Sequence, residues 1–153
     1  MKALELKVPP VIVVGVIAAI MQLISHSLPT VKIPLTLRVS LTAIIVVLAM
    51  VSGVWGVWEF RKQRTTVNPH TPEKSSSLVT SGIFQFTRNP MYLGLAMLLV
   101  AIAVYKSSPL LIAGVVVFIL YMNRFQIAPE ERFMNQRFGQ EYTEYCLRVR
   151  RWL

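Results

Sequence analysis

Four long apolar runs, separated by short polar or proline-marked segments, set the organisation of the chain. They predict helices over 8–27, 35–60, 91–106 and 109–127. A bilayer hydrocarbon core of roughly 30 Å needs about 20 helical residues. The second run is ample for that, and the third is short, so it has to borrow Pro90 or begin in the headgroup interface. Pro29 and Pro34 bracket the loop SLPTVKIPL, which makes the first two runs an antiparallel helical hairpin. Ser107, Ser108 and Pro109 join the third and fourth runs in a tight turn.

The longest polar connection is 61–90, with Asn68, Pro69, His70, Thr71 and Pro72 followed by Ser75, Ser76 and Ser77. Loops of that length are usually functional or disordered. Its end, 78–86, recovers apolar character around a turn at Gly82, as expected of a flap folded against the protein. Beyond the fourth run Asn123 and Arg124 bring polarity, and Pro129 stands where a new helix can begin. Glu130 and Glu131 behind it suit the positive end of a helix dipole. Phe133, Met134, Phe138, Tyr142 and Tyr145 recur at helical spacing, interrupted by Gly139, so 129–153 reads as a cytoplasmic interfacial helix or helix pair. The expected fold is all-α: a single polytopic membrane domain over 1–153, with about four transmembrane helices and this C-terminal helical segment.

Composition agrees, since 54% of the residues are hydrophobic and only 15% charged, which makes lipid the main solvent. Lys2 and Lys7 before the first run resemble a secretory leader. No small-x-small cleavage site precedes Gln22, Ser25 and His26, however, and further spans follow, so this run is read as a retained helix. Of sixteen cations, only Lys32, Arg38 and Lys106 fall on one side of a four-span topology. Lys2, Lys7, Arg61, Lys62, Arg64, Lys74, Arg88, Arg124, Arg132, Arg137, Arg148, Arg150 and Arg151 share the other with all seven acids, including Glu5, Glu59, Glu73, Glu141 and Glu144. That bias places both termini in the cytoplasm.

A net charge of +9 would suggest nucleic acid in a soluble protein. Here the cations flank apolar runs, and topology and attraction to anionic lipid headgroups explain them, so no nucleic-acid partner is expected. Cys146 is the single cysteine, which rules out an internal disulfide and a cysteine-based metal site. His26 and His70 have no second ligand nearby in sequence, so no metal is expected. Gly53 and Gly56 permit close helix approach, within the chain or between copies, and Trp55 and Trp58 suit the headgroup boundary. Oligomeric state stays open on these residues.

A tight hairpin of the third and fourth helices brings two polar blocks together, one before it (82–94) and one after it (124–145). Those blocks carry a resemblance. GIFQFTRNPMYLG, a hydrophobic hairpin, and then EERFMNQRFGQEYTEYCLRVRRWL are similar to the isoprenylcysteine carboxyl methyltransferase and phospholipid methyltransferase superfamily of integral membrane enzymes, in its short prokaryotic-type form. The likeness covers about the C-terminal half of the chain. It implies residence in the inner (plasma) membrane of a prokaryote, S-adenosylmethionine as cofactor, and a lipophilic or lipidated acceptor arriving from the bilayer.

Position by position, the resemblance assigns Gly82, Phe84, Arg88, Asn89, Pro90 and Tyr92 to the motif that closes over the cofactor. Glu130 and Glu131 match its acid pair, partners for ribose hydroxyls or an amine, and Phe138, Gly139, Tyr142 and Tyr145 match a wall of the pocket. Asn89 stands where many members have His, and an amide cannot carry charge, which leaves positioning but no acid–base role there.

The residues themselves point the same way. Methyl transfer from a sulfonium to a carboxylate needs alignment, desolvation and charge balance rather than a strong base, and the chain has no Asp and only two His. Arg124 and Arg88 are the candidates to act at the acceptor, Arg124 by holding an anionic group through paired hydrogen bonds. Snorkelling for the arginines, helix-start stabilisation for the glutamates and interfacial packing for the tyrosines are the plain alternatives. An NADPH-dependent reductase of related architecture, a phospholipid or amine N-methyltransferase and a non-enzymatic membrane scaffold are the competing functions.

Overall fold

A computed structural model describes residues 5–63 and 78–153. Expectations for Lys2, Arg64, the Asn68–Pro72 turn cluster with His70, Glu73, Lys74 and the serine run at 75–77 fall outside the described residues. Every regular element described is helical: α1 (Pro10–Ile24), α2 (Leu35–Lys62), α3 (Pro90–Tyr105), α4 (Ile112–Met122), α5 (Ala128–Phe138) and α6 (Gln140–Arg148). Prolines set several of the starts. Pro10 and Pro90 occupy the first turns of α1 and α3, where a missing N–H costs nothing and the fixed φ suits the helix.

α1, α2 and α4 run up and down around α3. The helices Pro10–Ser27, Leu35–Lys62 and Pro109–Phe138 are long and apolar enough to cross a membrane. Their outer faces carry Val11, Val16 and Leu23 on α1, Ile44, Met50 and Val54 on α2, and Val116, Val117 and Leu120 on α4, all exposed. Contiguous apolar faces of that kind need lipid or protein to cover them, and this is an all-α polytopic integral membrane protein.

α3 has 16 residues, about 24 Å at 1.5 Å per residue, less than a bilayer core. Its small residues explain how it is housed. A Cβ at Gly94 would lie 2.7 Å from the Ala49 carbonyl oxygen, so α2 and α3 touch backbone to backbone. Ser52 Oγ donates to the Pro90 carbonyl at 2.7 Å, which fixes their register. On its other sides α3 meets α1 and α4 in a core of Ile17, Met21, Leu99, Val115, Phe118 and Met122. At one end of the bundle the two short turns are pinned together, with Ser108 Oγ donating to Pro29 O at 2.9 Å and Val31 N to Ser107 O at 2.7 Å.

The structure departs from the sequence expectation in one place and chooses between two alternatives in another. The helix does not restart at Pro129. It runs without a break from α4 through a π-helical turn, Asn123–Ile127, into α5. Pro129 has no N–H to give the carbonyl of Phe125 four residues back, and the Leu6 N–H of the N-terminal segment donates to that carbonyl at 3.0 Å. Of the two readings of 129–153, a helix or a helix pair, the pair is observed. Gly139 turns the chain at φ +52°, a conformation that favours glycine, α6 follows, and from Val149 the chain is extended. A second core, Val79, Ile83, Phe84, Tyr142, Tyr145 and Val149, packs this returning segment on the flap that precedes α3.

Gly94→Ala is expected to destabilise the protein by about 1–3 kcal/mol through overpacking. Gly15→Ala, whose new methyl meets nothing within 4 Å, should stay within about 0.5 kcal/mol of wild type. Unfolding titrations in detergent measure both.

Candidate active site

At the end of the bundle where α2 finishes and α3 begins, three segments converge: the flap residues around Arg88, the turn from Asn123 to Glu131, and the extended tail from Val149. Arg88 joins all three. Its Nη2 donates to Glu131 Oε1 at 2.8 Å, its Nη1 to the carbonyls of Cys146 and Val149 at 3.2 Å each, and its backbone N–H to Arg150 O at 3.0 Å. Arg151 grips the same carboxylate from the tail, Nε to Oε1 at 3.0 Å and Nη2 to Oε2. The hydrogen bonds it donates to Glu131 hold the Arg151 guanidinium above its ordinary pKa. The Arg88 and Glu131 side chains are only 13% and 20% exposed, so loss of either partner would leave a largely desolvated charge unpaired. Arg88 Nε is buried with no hydrogen-bond partner.

Asn89 completes the seam, donating from Nδ2 to the Arg151 carbonyl at 2.8 Å. This is a positioning bond of the kind an amide can make and a protonated imidazole is not needed for. Beside it, Tyr92 donates to Glu130 Oε1 at 2.6 Å, and Gln126 Nε2 donates to the same oxygen at 2.9 Å. No hydrogen bond among the described residues reaches Glu130 Oε2. Gln126 is buried in the π-helical turn, and Asn123 of that turn accepts a hydrogen bond from Trp152 Nε1 at 3.0 Å. Such turns are frequent at functional sites because they re-aim side chains within a helix. Since the helix is continuous there, Glu130 answers to Tyr92 and Gln126 rather than to a free helix end.

The flap is shaped by Gly82, at φ +58°, where a side chain would collide with the Glu59 carboxylate. Glu59 is 2% exposed and accepts from Ser81 Oγ at 2.8 Å, which in turn accepts from Gln63 Nε2 at 3.0 Å. Phe84 stacks edge-on against Phe60, centroids 5.2 Å apart, and its carbonyl accepts from the Tyr145 hydroxyl at 2.7 Å. Burial pushes the hydroxyl pKa values of Tyr142 and Tyr145 above the usual tyrosine range, and the charge of Glu131 adds to this at Tyr142. Both are therefore neutral side chains near pH 7.

Gly82, Phe84, Arg88, Asn89, Pro90, Tyr92, Glu130, Glu131, Tyr142 and Tyr145 thus share one connected patch. Arg124 is placed differently. It is exposed, pairs with Glu5 of the N-terminal segment at 3.1 Å and lies over the Phe125 ring, while Arg132 grips the other oxygen of Glu5. Sequence reasoning did not single out Arg151, Gln126, Trp152 or Glu59. Arg151 was legible only as one more cation in RVRRWL. Gln126 carried a usable signal, a lone amide at the end of an apolar run and four residues before Glu130.

The sequence pattern of one family, phospholipid methyltransferase, matches residues 37–141, from α2 into α6. This chain belongs to that family. Among relatives of this phospholipid methyltransferase family member, an uncharacterized protein of Haemophilus influenzae is 46% identical over 63 residues, 41% of this chain and all of that one. Protein-S-isoprenylcysteine O-methyltransferase B of Arabidopsis thaliana is 34% identical over 80 residues, 50% of this chain and 39% of the plant protein. A probable protein-S-isoprenylcysteine O-methyltransferase of Oryza sativa subsp. indica is 36% identical over 80 residues, 50% of this chain and 40% of the relative. The chain therefore spans about two fifths of the length of these plant relatives. No solved structure gives a significant match. Family and relatives together support a membrane methyltransferase.

Tyr145→Phe leaves the buried Phe84 carbonyl without its hydroxyl donor and should cost about 1–3 kcal/mol. Arg137→Ala, on an exposed face, should fall within about 0.5 kcal/mol. Chemical unfolding followed by tryptophan fluorescence distinguishes the two.

Proposed function

We propose that this protein transfers a methyl group from S-adenosylmethionine to a lipophilic acceptor, the carboxylate of an isoprenoid-type or isoprenylcysteine-like molecule, at the cytoplasmic face of the inner membrane. The observation that carries the reading is the convergence of Arg88, Glu131 and Arg151 with Tyr92, Gln126 and Glu130 at one end of an apolar bundle. The side chains suit the cofactor's chemistry. The unpartnered Arg88 Nε and the Arg151 guanidinium match a carboxylate. Glu131 and the second oxygen of Glu130 match an ammonium group, ribose hydroxyls and the positive charge of a sulfonium. Tyr142 and Tyr145 add neutral aromatic wall.

When bound, the cofactor would supply an activated methyl group, passed from its sulfonium sulfur to the acceptor carboxylate oxygen with no proton moved, so that the products would be a thioether and a neutral ester. The chain's own part is alignment, exclusion of water and charge balance. No residue has to act as a base, which accords with an amide at position 89. The cation asymmetry of the sequence supports cytoplasmic termini.

In nanodiscs, labelled S-adenosylmethionine should bind the folded protein, and Glu131→Gln and Arg88→Ala should each weaken that binding by about tenfold or more, some 1.4 kcal/mol. Absence of cofactor binding to well-folded protein would end the proposal. With an ionised carboxylate acceptor the rate should not keep rising above about pH 8, because no protein base takes a proton from the acceptor, and a rate that climbs steadily toward the pKa of an amine would argue for an amine acceptor instead.

A further inference from the structure

We propose that a groove between α1, α2 and α3 holds the single apolar chain of the acceptor, and that Arg61 recognises an anionic head on it. The inference rests on the methyltransferase reading and deepens it by giving the acceptor's apolar chain a place in the fold and its carboxylate a specificity-determining residue. The groove has a volume of about 670 Å³, within the range of roughly 300–1,000 Å³ that suits one small molecule. Its walls are apolar, with Val11 from α1, Met50, Gly53 and Val54 from α2, and Leu95 from α3. Val11, Met50 and Val54 are also exposed on the outer face of the bundle, so the groove opens sideways to lipid and a chain can slide in without leaving the apolar phase.

Polarity is confined to one end. Among the described residues Arg61, in the last turn of α2, is the single charged one lining the groove, and it is exposed and paired with none of them. The other arginines near the site are occupied: Arg88 and Arg151 hold Glu131, and Arg124 and Arg132 hold Glu5. An ammonium head would be repelled at Arg61, and a carboxylate would accept paired hydrogen bonds from it. The same groove is lined by Tyr92, whose hydroxyl donates to Glu130, so its inner wall is continuous with the residues assigned to the cofactor. Arg61 thereby takes the acceptor-holding role that the sequence suggested for Arg124.

Gly53 offers a clean probe, since a side chain added there meets nothing within 4 Å and would grow into the groove. The test uses the full chain in detergent, with hexadecanoate, hexadecan-1-ol and hexadecylamine as probes read by native mass spectrometry, and labelled S-adenosylmethionine binding measured in parallel. Hexadecanoate is expected to bind about tenfold tighter than the amine, and Arg61→Ala to erase that preference without weakening the alcohol. Gly53→Leu, or Val54→Trp as a second way to fill the space, should weaken all three while cofactor binding is unchanged. Undiminished hexadecanoate binding in both filled variants, or an equal loss of acid and alcohol in Arg61→Ala, would overturn the inference. Failure of the wild-type protein to bind the cofactor would overturn the methyltransferase reading separately, because the groove probes need no cofactor.

Discussion

The carboxylate of Glu131, held between Arg88 from the flap and Arg151 from the tail, is the contact on which the arrangement of this end of the molecule depends. The apolar core of α1, α3 and α4 positions the helices through burial alone and would tolerate many sequences. It does not determine where the polar segments at its end should lie. The seam does, because Arg88 and Glu131, largely removed from solvent, need each other's charge, and Arg151 draws the tail onto the same carboxylate. Once it forms, the Arg88 backbone and the Asn89 amide can reach the tail carbonyls, and the flap, helix and tail become one wall.

Small residues make this possible further up the bundle. Gly94 against the Ala49 carbonyl, and Gly56 against Pro90, let α2 and α3 approach closely, and the Ser52 hydroxyl locks their register. A short helix can then serve at the centre, because it is sheathed by its neighbours. The start of α3, and with it Tyr92, is fixed next to the helix that carries Glu130. The π-helical turn has a matching role. It carries a proline into the middle of a long helix and presents Gln126 and Asn123 inward, while the N-terminal segment covers the Phe125 carbonyl that the proline cannot satisfy.

Placement of the arginines shows how packing assigns roles that residue type does not. Arg61, Arg88, Arg124 and Arg151 are alike in sequence terms, all cations beside apolar runs. Three are paired in the structure, two within the seam and one with Glu5 on the surface, and the remaining one lies at the polar end of an apolar groove.

The all-helical class, the membrane setting and the two blocks around the third and fourth helices were legible in the sequence. They are consequences of hydrophobic run length, proline punctuation and local motif spacing, which act between residues close along the chain. Arg88, Asn89, Tyr92, Glu130, Glu131, Tyr142 and Tyr145 were assigned to one site by the resemblance of those two blocks to a known family, rather than by local physical chemistry. The partner of each charge was decided only by tertiary structure. Glu5 meets Arg124 across 119 positions, and Arg151 returns to Glu131 only because Gly139 and the extended tail reverse the chain. So was the continuity of the helix through Pro129, since the N–H that satisfies the Phe125 carbonyl comes from the far end of the sequence. Local propensity cannot report such pairings, because which polar groups find one another is settled by how the apolar helices pack.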